Sequence, residues 1–344
     1  MRHAFKAVGA VIAAAALSAC SSPAPPVITP PPPAPAPTIS LSSKLIEQAS
    51  AYRAFLDRTA AITPAFSDGD SVARSLQAGE SYEPTQLLRG AISYAAIAAL
   101  QDPAFVAGVK TYARDPDQRR QVAYAIMRDP AYAVGFQGSA SAAGLAIQAL
   151  GTEGQKLYDA GKAVKQSAYD VQKQPWSKAD VPNRDQRLTQ AKILSATPQT
   201  ADPALMSRLQ AASGGGNSLG LTASPASPPY SPVVVRALAV AALAVLGEAS
   251  DANLETIWAI MVEPNVGSCV TMSKLNLYQC LAVSRPHYED IFCLGQHAMM
   301  DTGRCLIKAS GLPEPYEAKF IPTVDASKGY APKKLPRKGS ARRR

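Results

Sequence analysis

Apolar positions recur along this chain at three- and four-residue intervals, and the first stripe is the clearest: Leu41, Leu45, Ala49, Tyr52 and Leu56, with Ile46 and Phe55 beside it. That spacing gathers them on one face of an α-helix. Ser67-Asp68-Gly69-Asp70 interrupts the stripe and supplies a cap for the next helix. Pro84 stands where a first-turn proline belongs, ahead of an apolar run at 87–100. Asp-Pro pairs at 102–103, 115–116, 129–130 and 202–203 read as helix openers. The carboxylate accepts from free N–H groups, and proline fits the first turn without losing a bond. Two of them carry an echo: Asp102-Pro103-Ala104-Phe105 returns 27 residues later as Asp129-Pro130-Ala131-Tyr132. A solenoid needs about three or more units, so the echo reads as repeated capping.

Residues 139–150 are small and apolar, and 153–174 form a longer amphipathic pattern (Leu157, Ala160, Val164, Ala168, Val171) closed by Pro175. Shorter helices are expected at 186–195 and 203–212. The Gly-, Ser- and Pro-rich stretch 213–232 is the clearest internal boundary. Beyond it, 233–246 is apolar except for Arg236 and too short to span a bilayer, so it reads as a buried helix. Another helix is expected at 251–262. Strand alternation is missing throughout. The expected class is therefore all-α: a helical bundle in two lobes, 40–212 and 233–312, joined by the 213–232 linker.

Both ends depart from this pattern. Arg2 and Lys6 precede an apolar run at 7–17, and small residues follow it, which is the arrangement of a secretory signal. Leu17-Ser18-Ala19-Cys20 resembles the lipobox of bacterial lipoprotein precursors. The resemblance implies that 1–19 are removed and that Cys20 is acylated, anchoring the chain to a membrane and facing it to the periplasm. Ser21, in place of the aspartate that marks inner-membrane retention in better-known lipoproteins, points to the outer membrane. Prolines dominate 21–38, so these 18 residues of the tether 20–39 read as extended polyproline II. At ~3.1 Å per residue it would hold the body about 50 Å from the bilayer.

The formal charge of +9 changes meaning once it is located. Arg2 and Lys6 leave with the signal, and Lys333, Lys334, Arg337, Lys338, Arg342, Arg343 and Arg344 lie in the last twelve residues with no acid among them. Those two and seven account for all nine charges, so the body between is neutral. A nucleic-acid domain carries its charge on a folded face; here it sits on a tail, 313–344, expected to be disordered. Such a tail is drawn to anionic lipid, lipopolysaccharide phosphates or acidic wall polymers at ~1 kcal/mol per cation close to a membrane.

Five cysteines reduce to four once Cys20 carries lipid, and all four lie between Cys269 and Cys305. An even, clustered set in an exported protein reads as two disulfides. Cys269 and Cys280 are 11 residues apart and Cys293 and Cys305 are 12, each about three helical turns. Arg285-Pro286 lies between the pairs, near the midpoint of both 280/293 and 269/305. Two antiparallel helices folded there would join Cys280 to Cys293 and Cys269 to Cys305, and this nested pattern is expected among the three connectivities that four cysteines allow. Pairing Cys269 with Cys280 along one helix would have to close a gap of ~16 Å. The hairpin resembles the coiled-coil-helix-coiled-coil-helix type over fewer than 40 residues, a likeness of geometry alone. Leu277-Tyr278-Gln279-Cys280-Leu281-Ala282-Val283, Tyr288-Glu289-Asp290-Ile291-Phe292-Cys293, Gly79-Glu80-Ser81-Tyr82-Glu83-Pro84 and Ala168-Tyr169-Asp170-Val171-Gln172 are similar to a family of alphaproteobacterial envelope lipoproteins with no assigned activity.

Catalytic signatures are few. Zincin, Ser-x-x-Lys, dinucleotide and P-loop patterns do not occur, and no cysteines form C-x-x-C. His297 falls one turn before Asp301 and can donate to it; His287 is ten residues away and off phase, so no metal and no cofactor are expected. Glu289 and Asp290 suit the positive end of a helix. Glu80-Ser81, with Pro84 and Gly90-Ala91 downstream, faintly resembles the catalytic motif of lytic transglycosylases, although the offsets differ from that family's. The resemblance implies Glu80 as a general acid; the residue-level alternative is a capping carboxylate. A concave cleft holding Glu80 with a second carboxylate or an aromatic platform would favour the enzyme, and Glu80 on a convex face would remove it. The expected function is otherwise a structural or interaction module of the cell envelope.

Overall fold

The computed structural model describes residues 37–317, except 217 and 223. Cys20, the tether before residue 37 and the seven tail cations lie outside the described residues. Among the described residues the chain forms helices and two isolated backbone bridges, with no strand. The all-α class holds.

Local chemistry starts most of the helices. Ser42 caps α1 (Ser43–Ala60) by accepting from the Lys44 amide. Asp68 and Ser71 form a reciprocal capping box at α2 (Gly69–Glu80). Glu83 caps α3 (Pro84–Ala99), Asp102 caps α4 (Pro103–Lys110) and Asp115 caps α5 (Pro116–Arg128), each with proline in the first turn. The second copy of the echo behaves differently. Asp129 accepts from the Ala131 amide, but 130–135 make only a 3₁₀ turn, because Gly138 with φ +83° redirects the backbone into α6 (Ser139–Asp170).

Helix α6 runs unbroken for 32 residues where the sequence pattern suggests two segments. Gly151 and Gly154, at and just past the gap between those two segments, are sites of close packing. After α6 come α7 (Arg184–Ala196) and α8 (Pro203–Ser213), then α9 (Pro232–Val245), almost wholly buried as its composition requires. Helix α10 (Leu254–Ile260) leads to α11 (Pro264–Val283), α12 (His287–Cys293), a π-helical segment at Leu294–Asp301, and α13 (Thr302–Ser310), closed by Gly311 in the left-handed region. No single described helix is long and apolar enough to cross a membrane.

The lobes on either side of 213–232 share one continuous hydrophobic core, which includes Tyr52, Ile97, Leu150, Leu243 and Leu277. The connecting segment straps that core: Leu219 and Leu221 pack on it, and the Leu219 and Thr222 amides donate to the side chains of Gln101 and Gln148.

The nested disulfides are present: Cys269–Cys305 and Cys280–Cys293, each with Cα atoms 5.7 Å apart. They join α11 to the α12–π–α13 arm across the turn at Pro286. Twelve residues of plain α-helix would rotate Cys305 by roughly a third of a turn from Cys293. The π segment absorbs one extra residue, so twelve on this arm match eleven on α11. The same offset appears on the other side of the arm. Gly154 and Gly161 on α6, seven apart, face Gly303 and Gly295, eight apart. A Cβ on Gly303 would lie 2.7 Å from the Tyr158 amide nitrogen, and one on Gly295 would lie 2.5 Å from that of Lys165. Backbone meets backbone here, which only glycine allows.

Candidate functional site

Helix α2 ends at Glu80, in phase with Val72 and Leu76 on the helix's buried face. A carboxylate one turn beyond two apolar residues is carried into the interior by the same periodicity that buries them. Glu80 is only 2% exposed, and its Oε2 is fully buried with no hydrogen-bond partner. Burial pushes its carboxyl up to about 8, opposed by Lys274 and Arg187 and reinforced by Asp290.

Lys274 reaches the same place from α11. It lies on the stripe Val266, Val270, Leu277 and Leu281, and is buried with it. Its ammonium group donates to the main-chain oxygen of Glu80, to which Ser195 Oγ also donates at 3.2 Å. The Lys274 nitrogen sits 3.4 Å from the centroid of the Tyr82 ring. Burial holds its pKa well below the ordinary lysine value, with Glu80 pulling the other way. Lys274 thus satisfies the backbone of Glu80 and leaves the buried carboxyl oxygen without a partner.

Arg187 on α7 ties the next wall together. It donates to both carboxylate oxygens of Asp290 and to the Leu281 carbonyl, while Ser284 Oγ donates to Asp290 at 2.7 Å. Arg184 donates to the Ser284 and Ala282 carbonyls, so two arginines satisfy the free carbonyls at the end of α11. Burial raises the Asp290 carboxyl, opposed first by Arg187. The loop before α7 is zipped to the hairpin turn by Val181 N–H to Arg285 and His287 N–H to Ala179. The His287 ring rests on the first turn of α2 at Gly69, where a Cβ would collide with it.

These elements enclose a cavity of about 420 Å³, within the range of small-ligand sites (roughly 300–1,000 Å³). Val72, Leu76, Val181 and Pro182 give it apolar wall; Glu80, Asp290, Arg187 and His287 are polar groups within it, with Asp68, Asp70, Gln77 and Gln190 at the exposed rim. Glu80 is therefore in a concavity that holds a second carboxylate, not on a convex face. Asp290, however, is fully engaged by Arg187 and Ser284. The rest of the transglycosylase-like pattern does other work. Gly90 lies against the Gln48 carbonyl and Tyr52, where it allows α3 to press on α1, and neither Gly90 nor Ala91 lines the cavity.

The other sequence candidates lie elsewhere. His297 Nδ1 is 2.8 Å from Asp301 Oδ2, the partner its spacing suggests. Glu289 accepts from the Arg285 amide at 2.8 Å, a structural role at the start of α12. Among the described residues no cluster of three or more His, Cys, Asp or Glu could hold a metal ion. Sequence reasoning missed Lys274 and Arg187 and placed His287 outside any site. A signal existed for Lys274, a cation in phase with an apolar stripe. None existed for Arg187, whose partners are 94 and 103 residues away. No family model, curated protein or solved structure matches this chain.

Proposed function

We propose that this chain is a lipid-anchored protein of the bacterial envelope, held through acylated Cys20 on its proline tether, probing the periplasm as a binding module whose ligand site is the Glu80 cavity. The observation that carries the binding reading is the Glu80 carboxyl, buried in the wall of a cavity with one oxygen unpartnered. A buried unsatisfied carboxyl costs stability, and such groups cluster at functional sites. Support for the anchor is the lipobox and the tether alone. The seven tail cations add a second contact, to anionic lipid, lipopolysaccharide or wall polymer.

Two experiments test this. A thermal-shift screen of small ligands, run on the chain beginning after Cys20, should find compounds that raise Tm. Ala73→Phe, which fills the cavity from α2, should abolish the rise. Hits that survive Ala73→Phe would move the site elsewhere. For the anchor, wild type should fractionate with membranes and label with palmitate, and Cys20→Ser should do neither.

A second reading has one specific observation behind it: a carboxyl held protonated near neutral pH shares its cavity with another carboxylate, as in a glycan-cleaving acid site. In that reading Glu80 protonates the glycosidic oxygen. Purified protein incubated with peptidoglycan sacculi should then release soluble muropeptides, and Glu80→Gln should release none. Equal release by both proteins, or none by either, removes this reading.

A further inference from the structure

We propose that the Glu80 cavity takes its ligand by a primary ammonium group, with the Glu80 carboxylate as counter-ion. The proposal rests on the cavity being a ligand site and names the chemistry of what enters it. Four carboxyl groups face the cavity, Asp68, Asp70, Glu80 and Asp290, against one arginine and one histidine. Arg187 spends its two terminal nitrogens on Asp290, both of whose carboxylate oxygens it engages, and on the Leu281 carbonyl, which leaves only its buried Nε without a partner. That pair neutralises itself. Asp68 and Asp70 stand exposed at the rim, and the Asp68 carboxyl is held low by the Ser71 amide, so the approach is negative. Further in, the Glu80 carboxyl lines the cavity, with its Oε2 fully buried and without a partner.

A group that carries positive charge and several N–H donors satisfies both features at once. An anionic ligand meets the rim carboxylates and finds both terminal nitrogens of the arginine already bound, with only the single buried Nε left over. A metal ion needs several converging ligands, and no three such groups converge among the described residues. The apolar wall at Val72, Leu76 and Val181 suits the carbon skeleton behind the ammonium group. An amine tucked against hydrocarbon with one buried counter-charge is also where a charge-assisted hydrogen bond is strongest.

The proposal makes a statement about protons. Burial keeps the Glu80 carboxyl protonated until about pH 8. An ammonium group beside it stabilises the ionised form, so binding at neutral pH expels a proton and affinity rises with pH up to that value. The groups that face Glu80 from the surrounding elements are Lys274 and Tyr278 on α11, Arg187 on α7, and Asp290 and His287 on α12. On the side of α1, Arg58 donates to the Ser81 carbonyl. His287 is the neighbour that could imitate the effect, and it needs its own control.

The test uses three probes of one shape: cyclohexylmethylammonium, cyclohexylmethanol and cyclohexanecarboxylate. Binding to the chain after Cys20 is followed by ligand-observed NMR and by calorimetry in two buffers of different ionisation enthalpy. The expected result is that the ammonium probe binds in preference to the other two. Its affinity should rise about eightfold from pH 6.5 to 7.5, from the change in ionised fraction of a group titrating near 8, with net proton release. Glu80→Gln should lose at least tenfold in affinity and the pH slope; His287→Asn should keep the slope. The wild-type pH dependence and proton release stand even if Glu80→Gln does not fold. A preference for the alcohol or the carboxylate, with Ala73→Phe abolishing it, overturns the ammonium proposal and leaves the cavity as a ligand site. A slope that follows His287→Asn overturns the role of Glu80. Binding of none of the three overturns the ammonium proposal; whether the cavity is a site then turns on the ligand screen.

Discussion

The α12–π–α13 arm has two sides, and they are built on opposite terms. Against α6 the backbones touch: Gly154 meets Gly303 and Gly161 meets Gly295, and the core around them is closed. Toward α2 and α7, the start of the same arm carries His287 and Asp290 into a wall with the buried Lys274, the half-buried Arg187, the buried acid Glu80 and a cavity. The first side gains dispersion and burial from every atom. The second takes charged groups out of water and leaves one of them unpaired, which packing alone does not explain. Proximity to a rigid support is what lets the second arrangement exist, since the glycine contact and the disulfides hold the arm while the cavity side stays unfilled.

The largest effect should come from attacking the closed side. Gly303→Val places side-chain atoms against the Tyr158 backbone, which has nowhere to go, and should cost about 3 kcal/mol or more, or prevent folding. A cooperative melt within a few degrees of wild type would mean the contact is looser than the geometry says. Next come the staples. Removing either disulfide by paired Cys→Ser changes should cost about 2–4 kcal/mol by denaturant titration. Their sequence separations are 36 and 13. Chain entropy therefore makes the outer one worth roughly 1 kcal/mol more. Peptide mapping without reduction should recover Cys269 linked to Cys305 and Cys280 linked to Cys293.

On the open side the sign is reversed. The Glu80 carboxyl titrates higher folded than unfolded, so the folded state binds the extra proton between the two values. Stability it contributes is whole below the unfolded value near 4.5 and is lost as pH rises through about 8. Wild type should therefore weaken relative to Glu80→Gln over that window, at up to ~1.4 kcal/mol per pH unit. Lys274, held low by burial, works in the opposite direction, but both proteins carry it. Parallel stability curves for the two proteins from pH 5 to 8 would show that Glu80 is not held neutral. The smallest effect belongs to the end of the described chain. Glu317 pairs with Lys165 and Arg304 on the closed side, so Glu317→Gln should cost ~1 kcal/mol or less, whereas deleting 333–344 should leave Tm unchanged.

Local rules account for much of what the sequence determined by itself. Asp-Pro, Glu-Pro and Ser-Pro pairs open helices because cap and first turn are one dipeptide's chemistry, and they fall at the starts of α3, α4, α5, α8, α9 and α11. The disulfide pairing was legible because helical rise converts spacing into distance and a single turn supplies the symmetry. Tertiary structure decided the rest. Whether Gly151 and Gly154 break a helix or let another approach depends on what lies opposite, and here it is α13 and Leu312. One extra residue between Cys293 and Cys305 is absorbed as a π segment only because Cys269 and Gly154 lie at fixed places on two neighbouring helices. The cavity is the clearest case. Glu80, Arg187, Lys274 and Asp290 sit on four helices, up to 210 residues apart, and no local pattern links them; burial shifts the Glu80 carboxyl only once those helices close around it.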